Sequence, residues 1–337
     1  MGDTLDILTH GEILLRLSPA GGSRLADASL LEQHIGGAEL NVACGAAQLG
    51  LTTAILSRIP QNGLSTAIRK QIRSFGVGDG FLLEDPSPRA RLGLYYYEPG
   101  ASPRKPSVIY DRGGTSAARI RPEDLPKDLP VPRLFHTSGI TLAVSPDARR
   151  TALELIRRFS GKALISFDVN YRARLWSEEE AHSVITELLP MVDILFISEE
   201  SCRRMFGMDG PLEEVQQTLS ETYHIRQIFT TSRTAVSPRE HTFTSLAYDH
   251  AENAWYTESA YTGIEAVDRI GSGDAYVAGA LYGLLERRSV QDAVWYGNAM
   301  AATKSTVPGD LPSVTLEELQ ALIAAHHGEG SASEMNR

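Results

Sequence analysis

The fold class is decided by residues 133–169, which read RLFHTSGITLAVSPDARRTALELIRRFSGKALISFDV. Two short apolar runs, at 133–140 and 162–169, have the length and composition of buried strands. Between them lies a stretch of helical periodicity, with Ser145 as the predicted N-cap and Gly161 as the stop signal. This order predicts a βαβ unit and therefore a parallel pair of strands. The predicted apolar face of the helix is Ala152, Leu155, Ile156 and Phe159.

The same alternation continues downstream. Strand-like runs at 192–198 and 226–232 flank a helical segment at 211–223. A further helix is predicted before residue 192, and Ser177 with Glu180 predicts a capping box at its start. The pattern predicts a mostly parallel sheet with helices on both faces. In such sheets ligands bind outside the carboxyl ends of the strands. The polar residues at these ends are Asp168, Asn170, Ser198, Glu199, Thr231 and Ser232.

Two early regions break the alternation. Residues 11–19 and 89–112 have the pattern of antiparallel strands separated by turn residues. They form either a binding surface on a small sheet or an exposed hairpin face in which the tyrosines serve as strand formers. Alternation along the strands places Tyr95 with Tyr97 on one face, and Val108 with Tyr110 and Arg112 on one face.

The composition is that of a globular protein without a bulk attraction for nucleic acid. The 337 residues include 42 acidic and 32 basic ones, giving a net charge of −10. An anionic ligand must therefore be met by locally placed cations. Two cysteines, Cys44 and Cys202, are too few for a disulfide framework. Because neither a signal-peptide pattern nor an apolar run of ~18 residues occurs, we expect a cytoplasmic protein.

A glycine-rich segment opens a further helix at 267–285, VDRIGSGDAYVAGALYGLL. Apolar residues recur at helical spacing from Tyr276 onward, so Asp274 is expected at or near the helix N-terminus. There the macrodipole is positive, and glycines let the backbone approach an anion closely. The segment is either such an anion site or a plain aspartate N-cap with glycine turn residues.

Six motifs stand in order along the chain: Gly36-Gly37-Ala38 before Asn41, YDR at 110–112, SGIT at 138–141, DVNYRARLW at 168–176, VDRIGSGDAYVAG at 267–279 and NAMAATKSTVPGD at 298–310. Together they resemble the ribokinase-like carbohydrate kinases, also called the PfkB family, over nearly the whole chain. Within that family they are most similar to bacterial 2-keto-3-deoxygluconate kinases.

The resemblance implies an α/β fold of the ribokinase-like type, in which a mostly parallel central sheet is flanked by helices and a small β-sheet lid covers the sugar. Such lids often pair between subunits, so a homo-oligomer formed through the lid is expected. The expected bounds are 1–10, 36–88 and 116–326 for the core, 11–35 and 89–115 for the lid, and 327–337 for a flexible tail.

The implied activity is ATP-dependent phosphorylation of 2-keto-3-deoxy-D-gluconate at the 6-hydroxyl. Asp274 would be the catalytic base, and the N–H groups of Gly271, Ser272 and Gly273 would stabilise the transferred phosphoryl group. Arg172 would bridge a phosphate oxygen or the substrate, unless it is a surface arginine paired with a nearby acid.

The resemblance also implies which residues hold the sugar acid. Arg112 and Tyr110 would bind it from the lid, because a guanidinium grips a carboxylate bidentately. Gly37 would allow close backbone approach, although it could instead belong to a plain turn with Gly36. The remaining implied substrate-binding residues are Asn41, Tyr95, Asn170, Arg172 and Asp274.

The nucleotide would come with Mg²⁺ between its β- and γ-phosphates, and Glu200 would reach this metal through water. A monovalent cation is compatible with the family. For Asn298, the alternative to a nucleotide contact is an ordinary residue on a helix surface. The implied nucleotide-binding residues are Ser198, Thr231, Gly271, Gly273, Asn298 and Gly309.

The chain departs from the usual family pattern at three places. Arg269 and Ile270 stand where threonines are common, SEES at 198–201 replaces Asn-x-x-Glu, and TTSRTAVS at 230–237 lacks a glycine-rich turn. The departures put the position of the metal-linked carboxylate in doubt.

Other functions remain as alternatives. The nearest is a kinase for fructose, ribose or 2-keto-3-deoxygalactonate, and the lid arginine Arg112 disfavours a neutral sugar. A dinucleotide-dependent oxidoreductase would need Gly-x-Gly-x-x-Gly after the first strand, which the sequence lacks. A catalytically silent sugar-binding regulator is disfavoured by the presence of Asp274 and Arg172.

Overall fold

The computed structural model describes residues 4–237 and 240–328, and over these residues strands and helices alternate. The strands are β1 (Ile7–His10), β2 (Leu14–Pro19), β3 (Leu31–Gly36), β4 (Thr53–Pro60), β5 (Leu82–Asp85), β6 (Gly93–Glu98), β7 (Ser107–Asp111), β8 (Leu134–Ser138), β9 (Leu164–Asp168), β10 (Ile194–Phe196), β11 (Gln227–Ser237), β12 (Glu240–Asp249), β13 (Ala254–Thr257) and β14 (Tyr261–Glu265). The α-helices are α1 (Ala38–Gln48), α2 (Gly63–Ser74), α3 (Gly139–Val144), α4 (Pro146–Phe159), α5 (Glu178–Leu188), α6 (Glu199–Phe206), α7 (Leu212–Tyr223), α8 (Ser272–Tyr282), α9 (Val290–Ser305) and α10 (Leu316–His326).

The predicted parallel sheet is confirmed. Its order is β13-β12-β11-β10-β9-β8-β1-β4-β5, and every neighbouring pair from β11 to β5 is parallel. The strands β12, β13 and β14 extend one edge in antiparallel fashion. The carboxyl ends of seven parallel strands therefore meet at one edge, where a ligand site is expected.

Helices cover both faces of this large sheet. Ile7, Leu134 and Phe196 point into the core cluster that contains α8 and α9, whereas their chain neighbours Leu8 and Phe135 point into the cluster that contains α4 and α5. Successive side chains of a strand face opposite sides, so near-continuous apolar strands are what a sheet buried on both faces requires.

The local signals for α4 and α5 act largely as predicted. The Ser145 hydroxyl accepts a hydrogen bond from the backbone N–H of Ala148 at 3.0 Å, which caps α4. The Ser177 hydroxyl likewise accepts from the N–H of Glu180 at 3.1 Å. The predicted capping box is only half formed, because the Glu180 carboxylate instead accepts from Arg149 at 2.7 Å.

A separate four-stranded sheet, the small sheet, has the order β3-β2-β6-β7. Its outer pairs are antiparallel, as predicted, but its central pair β2–β6 is parallel. The prediction of antiparallel pairing throughout is wrong because β2 and β6 follow β1 and β5, which run in the same direction in the large sheet. The two insertions consequently leave that sheet side by side and in the same direction.

The shared faces predicted within the small sheet are confirmed for the strand residues. Tyr95 lies opposite Tyr110 and Tyr97 lies opposite Val108, with the Tyr95 and Tyr110 ring centres 5.7 Å apart. One face of the small sheet is therefore aromatic.

The end of the described chain is anchored to the core. His327, which belongs to the predicted flexible tail, has its Nε2 atom 3.1 Å from the Glu258 carboxylate. The rest of that tail from residue 329 onward lies outside the described residues. No α-helix in the described part of the chain has the length and apolarity needed to cross a membrane.

Candidate active site

A cavity of about 630 Å³ lies between the small sheet and the carboxyl edge of the large sheet. Its walls come from the ends of β9, β10 and β11, from the start of α8 and from β6 and β7. The residues predicted from the sequence that line it are Gly37, Asn41, Tyr95, Tyr110, Arg112, Asn170, Arg172, Ser198, Glu200, Thr231, Gly271, Ser272, Gly273 and Asp274.

The start of α8 forms the floor of this cavity. Gly271 is the N-cap residue with φ of +82°, and a Cβ at this position would overlap with the carbonyl oxygen of Asp310. Asp274 is the third residue of the helix, so the interpretation as an aspartate N-cap is wrong. Part of the predicted anion site is already engaged, because the N–H of Ser272 donates to the Arg269 carbonyl at 3.3 Å.

Two carboxyl groups at this floor titrate near neutral pH. Burial raises the pKa of Asp274 to about 6, although the Asn41 amide, which donates to Oδ2 at 2.6 Å, and the charge of Arg172 oppose the rise. Burial and the charge of Asp274 raise the pKa of Asp168 to about 7. Asp274 is thus ionised at neutral pH but close to its titration point, as a general base needs to be.

Arg172 supplies an exposed positive charge beside these carboxyl groups. Its Nη1 donates to the neighbouring Tyr171 carbonyl at 3.0 Å, and no carboxylate of residues 4–237 or 240–328 lies within ion-pair distance. Asn170, two residues earlier, has φ of +35° and donates its N–H to Asp168 Oδ1 at 3.0 Å. The turn after β9 therefore places at the cavity a guanidinium that has no carboxylate within ion-pair distance among the described residues, while its charge acts on Asp168 and Asp274.

Arg112 differs from the free cation that the sequence suggested. Its Nη2 lies 2.5 Å from Glu12 Oε2, and the Thr115 hydroxyl donates to the other oxygen of Glu12 at 2.5 Å. The guanidinium also lies 5.7 Å from the centre of the Tyr110 ring. Arg112 lines the cavity, but a buried carboxylate already balances its charge.

Asp310 is a cavity residue that the sequence analysis missed. The Tyr95 hydroxyl donates to its Oδ2 atom, and Arg16 Nε lies 3.1 Å from its Oδ1 atom. Burial raises the pKa of Asp310 to about 6. Asp310 directly follows Gly309 in the TVPGD motif, so the motif contains this residue, but the predicted role was given to the glycine alone.

Two predicted nucleotide-binding residues do not line the cavity. Asn298 is fully buried in α9 and donates to Glu258 Oε1 at 2.8 Å. Gly309 donates its N–H to Asp268 Oδ2 at 3.0 Å. Both residues make hydrogen bonds within the protein and do not line the cavity, so their roles in nucleotide binding stay predictions.

Three residues that the sequence predicts for the nucleotide and its metal, Ser198, Thr231 and Glu200, line the cavity. Ser198 is the N-cap of α6, and its hydroxyl accepts from the N–H of Ser201 at 3.1 Å. Glu200 is exposed, and its Oε1 accepts from Arg204 at 2.7 Å. No group of three metal-ligating residues occurs among the described side chains. A carboxylate that keeps one solvent-facing oxygen fits a hydrated Mg²⁺ held mainly by phosphates.

The chain is similar to known carbohydrate kinases. A family profile described as "pfkB family carbohydrate kinase" matches residues 6–316. The chain is 34% identical to a 2-dehydro-3-deoxygalactonokinase of Haloferax volcanii, over 95% of this chain and 97% of that protein. It is 25% identical to a 2-dehydro-3-deoxygluconokinase of Bacillus subtilis, over 95% and 96%.

A solved structure extends the similarity to the fold. The crystal structure of a 2-dehydro-3-deoxygluconokinase from Thermotoga maritima superposes with a TM-score of 0.90 and 29% identity, covering 96% of this chain and 99% of that one. The predicted ribokinase-like fold, with a large mostly parallel sheet and a separate small sheet, is confirmed.

The Asn41 hydrogen bond yields a test of the electrostatics. The amide favours the ionised form of Asp274, so Asn41→Ala should raise the pKa of Asp274 above its value of about 6. Carboxyl-carbon NMR titration, with the Asp274 resonance assigned from Asp274→Asn, measures the shift. Asn62→Ala, at the N-cap of α2 and outside the cavity, is the control. An unchanged or lower pKa in Asn41→Ala would contradict the hydrogen bond.

Proposed function

The chain belongs to the pfkB family of carbohydrate kinases, and we propose that it transfers the γ-phosphoryl group of ATP to the 6-hydroxyl of a 2-keto-3-deoxy sugar acid. The first candidate substrate is 2-keto-3-deoxy-D-gluconate, giving its 6-phosphate and ADP. The observation that carries this proposal is one cavity in which the Asp274 carboxylate, the start of α8 and the uncompensated Arg172 meet.

In the proposed reaction Asp274 removes the proton from the attacking 6-hydroxyl. A bond forms between that oxygen and the γ-phosphorus while the bond to the β,γ-bridging oxygen breaks, and ADP leaves. The Asn41 amide keeps the base ionised and oriented. The pKa of about 6 makes the base competent at neutral pH, and its activity should fall as the pH drops through that value.

The protein would stabilise the charge on the transferred phosphoryl group by electrostatic interactions, without forming a covalent bond to it. The N–H groups of Gly271 and Gly273, with the dipole of α8, would stabilise that charge. The N–H of Ser272 donates to the Arg269 carbonyl at 3.3 Å and would have to exchange this partner for a phosphoryl oxygen. Arg172 contributes a guanidinium with no competing carboxylate among the described residues.

The sugar acid is proposed to lie under the small sheet. Arg112 would bind its carboxylate beside Tyr110, with Glu12 fixing the guanidinium in place. Tyr95 contributes packing, because its hydroxyl is already used by Asp310. The other proposed contacts are Gly37, Asn41 and Asn170.

The nucleotide would lie along Ser198 and Thr231. Magnesium, when bound with the nucleotide, neutralises the β- and γ-phosphates, and Glu200 would hold its water shell. A monovalent cation, a cytoplasmic location and oligomerisation through the small sheet stay predictions.

A second candidate substrate is the galactonate epimer of the same sugar acid. It is favoured by the 34% identity to a relative named for 2-dehydro-3-deoxygalactonate, against 25% for the Bacillus subtilis relative named for the gluconate form. Both candidates share the carboxylate, the ketone and the phosphorylated hydroxyl, so the proposed site serves either.

A coupled ADP-release assay distinguishes these possibilities. The panel contains the gluconate- and galactonate-type keto-deoxy acids, fructose and ribose. We expect kcat/KM to be highest for one of the two acids. Higher kcat/KM for fructose or ribose would contradict the sugar-acid proposal, and no turnover of any sugar would contradict the kinase proposal.

Replacing the base tests the mechanism. Asp274→Asn keeps the shape of the side chain but removes proton acceptance, so kcat should fall at least ~100-fold with little change in Tm. Asp292→Asn is a matched control, because Asp292 is the third residue of α9 as Asp274 is of α8. Near-normal turnover of Asp274→Asn would refute the assignment, and loss of folding would indicate a structural role.

Removing Arg112 tests the identity of the substrate. Arg112→Ala leaves the buried Glu12 carboxylate uncompensated beside the substrate, so the KM for the sugar acid should rise about 10-fold or more while that for ATP changes little. Arg91→Ala, whose ion pair with Asp111 lies outside the cavity, is the control. Equal losses with the acid and with a neutral sugar would mean that Arg112 supports the small sheet without reading the carboxylate.

A further inference from the structure

Two arginines occupy the positions where the chain departs from the usual family pattern. Arg233 lies in TTSRTAVS, which lacks the glycine-rich turn, and Arg269 stands in place of a threonine before GSGD. These positions are 36 residues apart in sequence, yet both side chains line the same wall of the active-site cavity.

The elements that carry them are joined. Arg233 belongs to β11, two residues beyond the cavity residue Thr231. Arg269 lies in the loop before α8, and its Nη2 donates to the carbonyl of Ser237, the last residue of β11, at 2.6 Å. This bond holds the loop of Arg269 against the strand of Arg233, so the two guanidinium groups share one side of the cavity.

Neither guanidinium has a counter-ion in the described part of the chain. No Asp or Glu carboxylate there lies within 4.0 Å of Arg233 or Arg269, and Arg269 Nε is buried without a hydrogen-bond partner. Partial loss of hydration and the charge of Arg269 lower the pKa of Arg233. By contrast, Arg112 and Arg204, which line the same cavity, are paired with glutamates. Two neighbouring positive charges without a carboxylate constitute a site for a multiply charged anion.

We propose that Arg233 and Arg269 form a subsite for the phosphate chain of the nucleotide, which makes binding selective for polyphosphates over monophosphates. This inference rests on the proposed function. Guanidinium groups bind phosphate oxygens bidentately, and two of them match an anion with more than one negative charge.

The position of the subsite favours the phosphate chain over the sugar carboxylate. Arg269 precedes Gly271 by two residues, so its anion lies next to the positive end of α8. Arg233 follows Thr231 by two residues on β11 of the large sheet, and Arg269 lies in the loop before α8. The cation proposed for the sugar carboxylate, Arg112, lies instead beside Tyr110 of the small sheet.

Calorimetric titration of ATP, ADP and AMP into the full-length protein tests the proposal without any sugar. For Arg233→Gln we expect the Kd of ATP to rise at least ~10-fold, the Kd of ADP to rise less, and that of AMP to change less than about twofold. Arg233→Lys, which keeps the charge, should recover part of the loss. Arg203→Gln, an exposed arginine of α6 outside the cavity, is the control.

Arg269→Gln also removes the bond to Ser237, so its Tm must be measured together with its affinities. Equal loss of ATP and AMP affinity in Arg233→Gln, or unchanged ATP affinity, would overturn the subsite while leaving the kinase proposal standing. Failure of the wild-type protein to bind any of the three nucleotides would instead refute the proposed function.

Discussion

The two sheets are joined by one buried arginine. Arg16, on β2 of the small sheet, is 1% exposed and lies 2.5 Å from Asp268 and 3.1 Å from Asp310, both in loops of the large domain. The Lys304 ammonium donates to the backbone carbonyl of Asp268 at 3.2 Å, and the charges of Asp268 and Asp310 act on the pKa of Lys304. Removing one partner of such a buried pair commonly costs about 3–5 kcal/mol, because the remaining charge stays uncompensated. The cluster therefore fixes the small sheet relative to the loop that leads into α8.

This arrangement also separates two kinds of charge within one cavity. Burial and the charge of Asp274 raise the pKa of Asp168 to about 7, and an anionic substrate beside these two groups would be repelled unless cations intervened. Of the cations around these two carboxyl groups, Arg172 has the largest effect, because its charge opposes the rise of both pKa values. The cavity of this acidic protein can therefore admit an anion, because Arg172, Arg233 and Arg269 line it without a carboxylate within 4.0 Å among the described residues.

The fold could be predicted where its causes are local. Ser145 and the apolar spacing after it determine α4, and strand–helix alternation determines the parallel sheet. The direction of β2 against β6, and the pairing of Arg112 with Glu12 a hundred residues away, depend on tertiary contacts that no short motif contains. The TVPGD motif likewise identified the loop of Gly309 but did not show which residue of this loop lines the cavity. The N–H of Gly309 donates to Asp268, and it is the Asp310 side chain that lines the cavity.

In the proposed reaction, the rate of phosphoryl transfer would depend on the distance between an acceptor held under the small sheet and a donor held on the large sheet. Arg112 and Tyr110 belong to the former, whereas Arg233, Arg269 and the start of α8 belong to the latter. Small errors in such an alignment cost large factors in rate. Because the Arg16 cluster contacts the loops on both sides of the α8–α9 pair, the buried charges that stabilise the fold would also set the alignment on which the proposed chemistry depends.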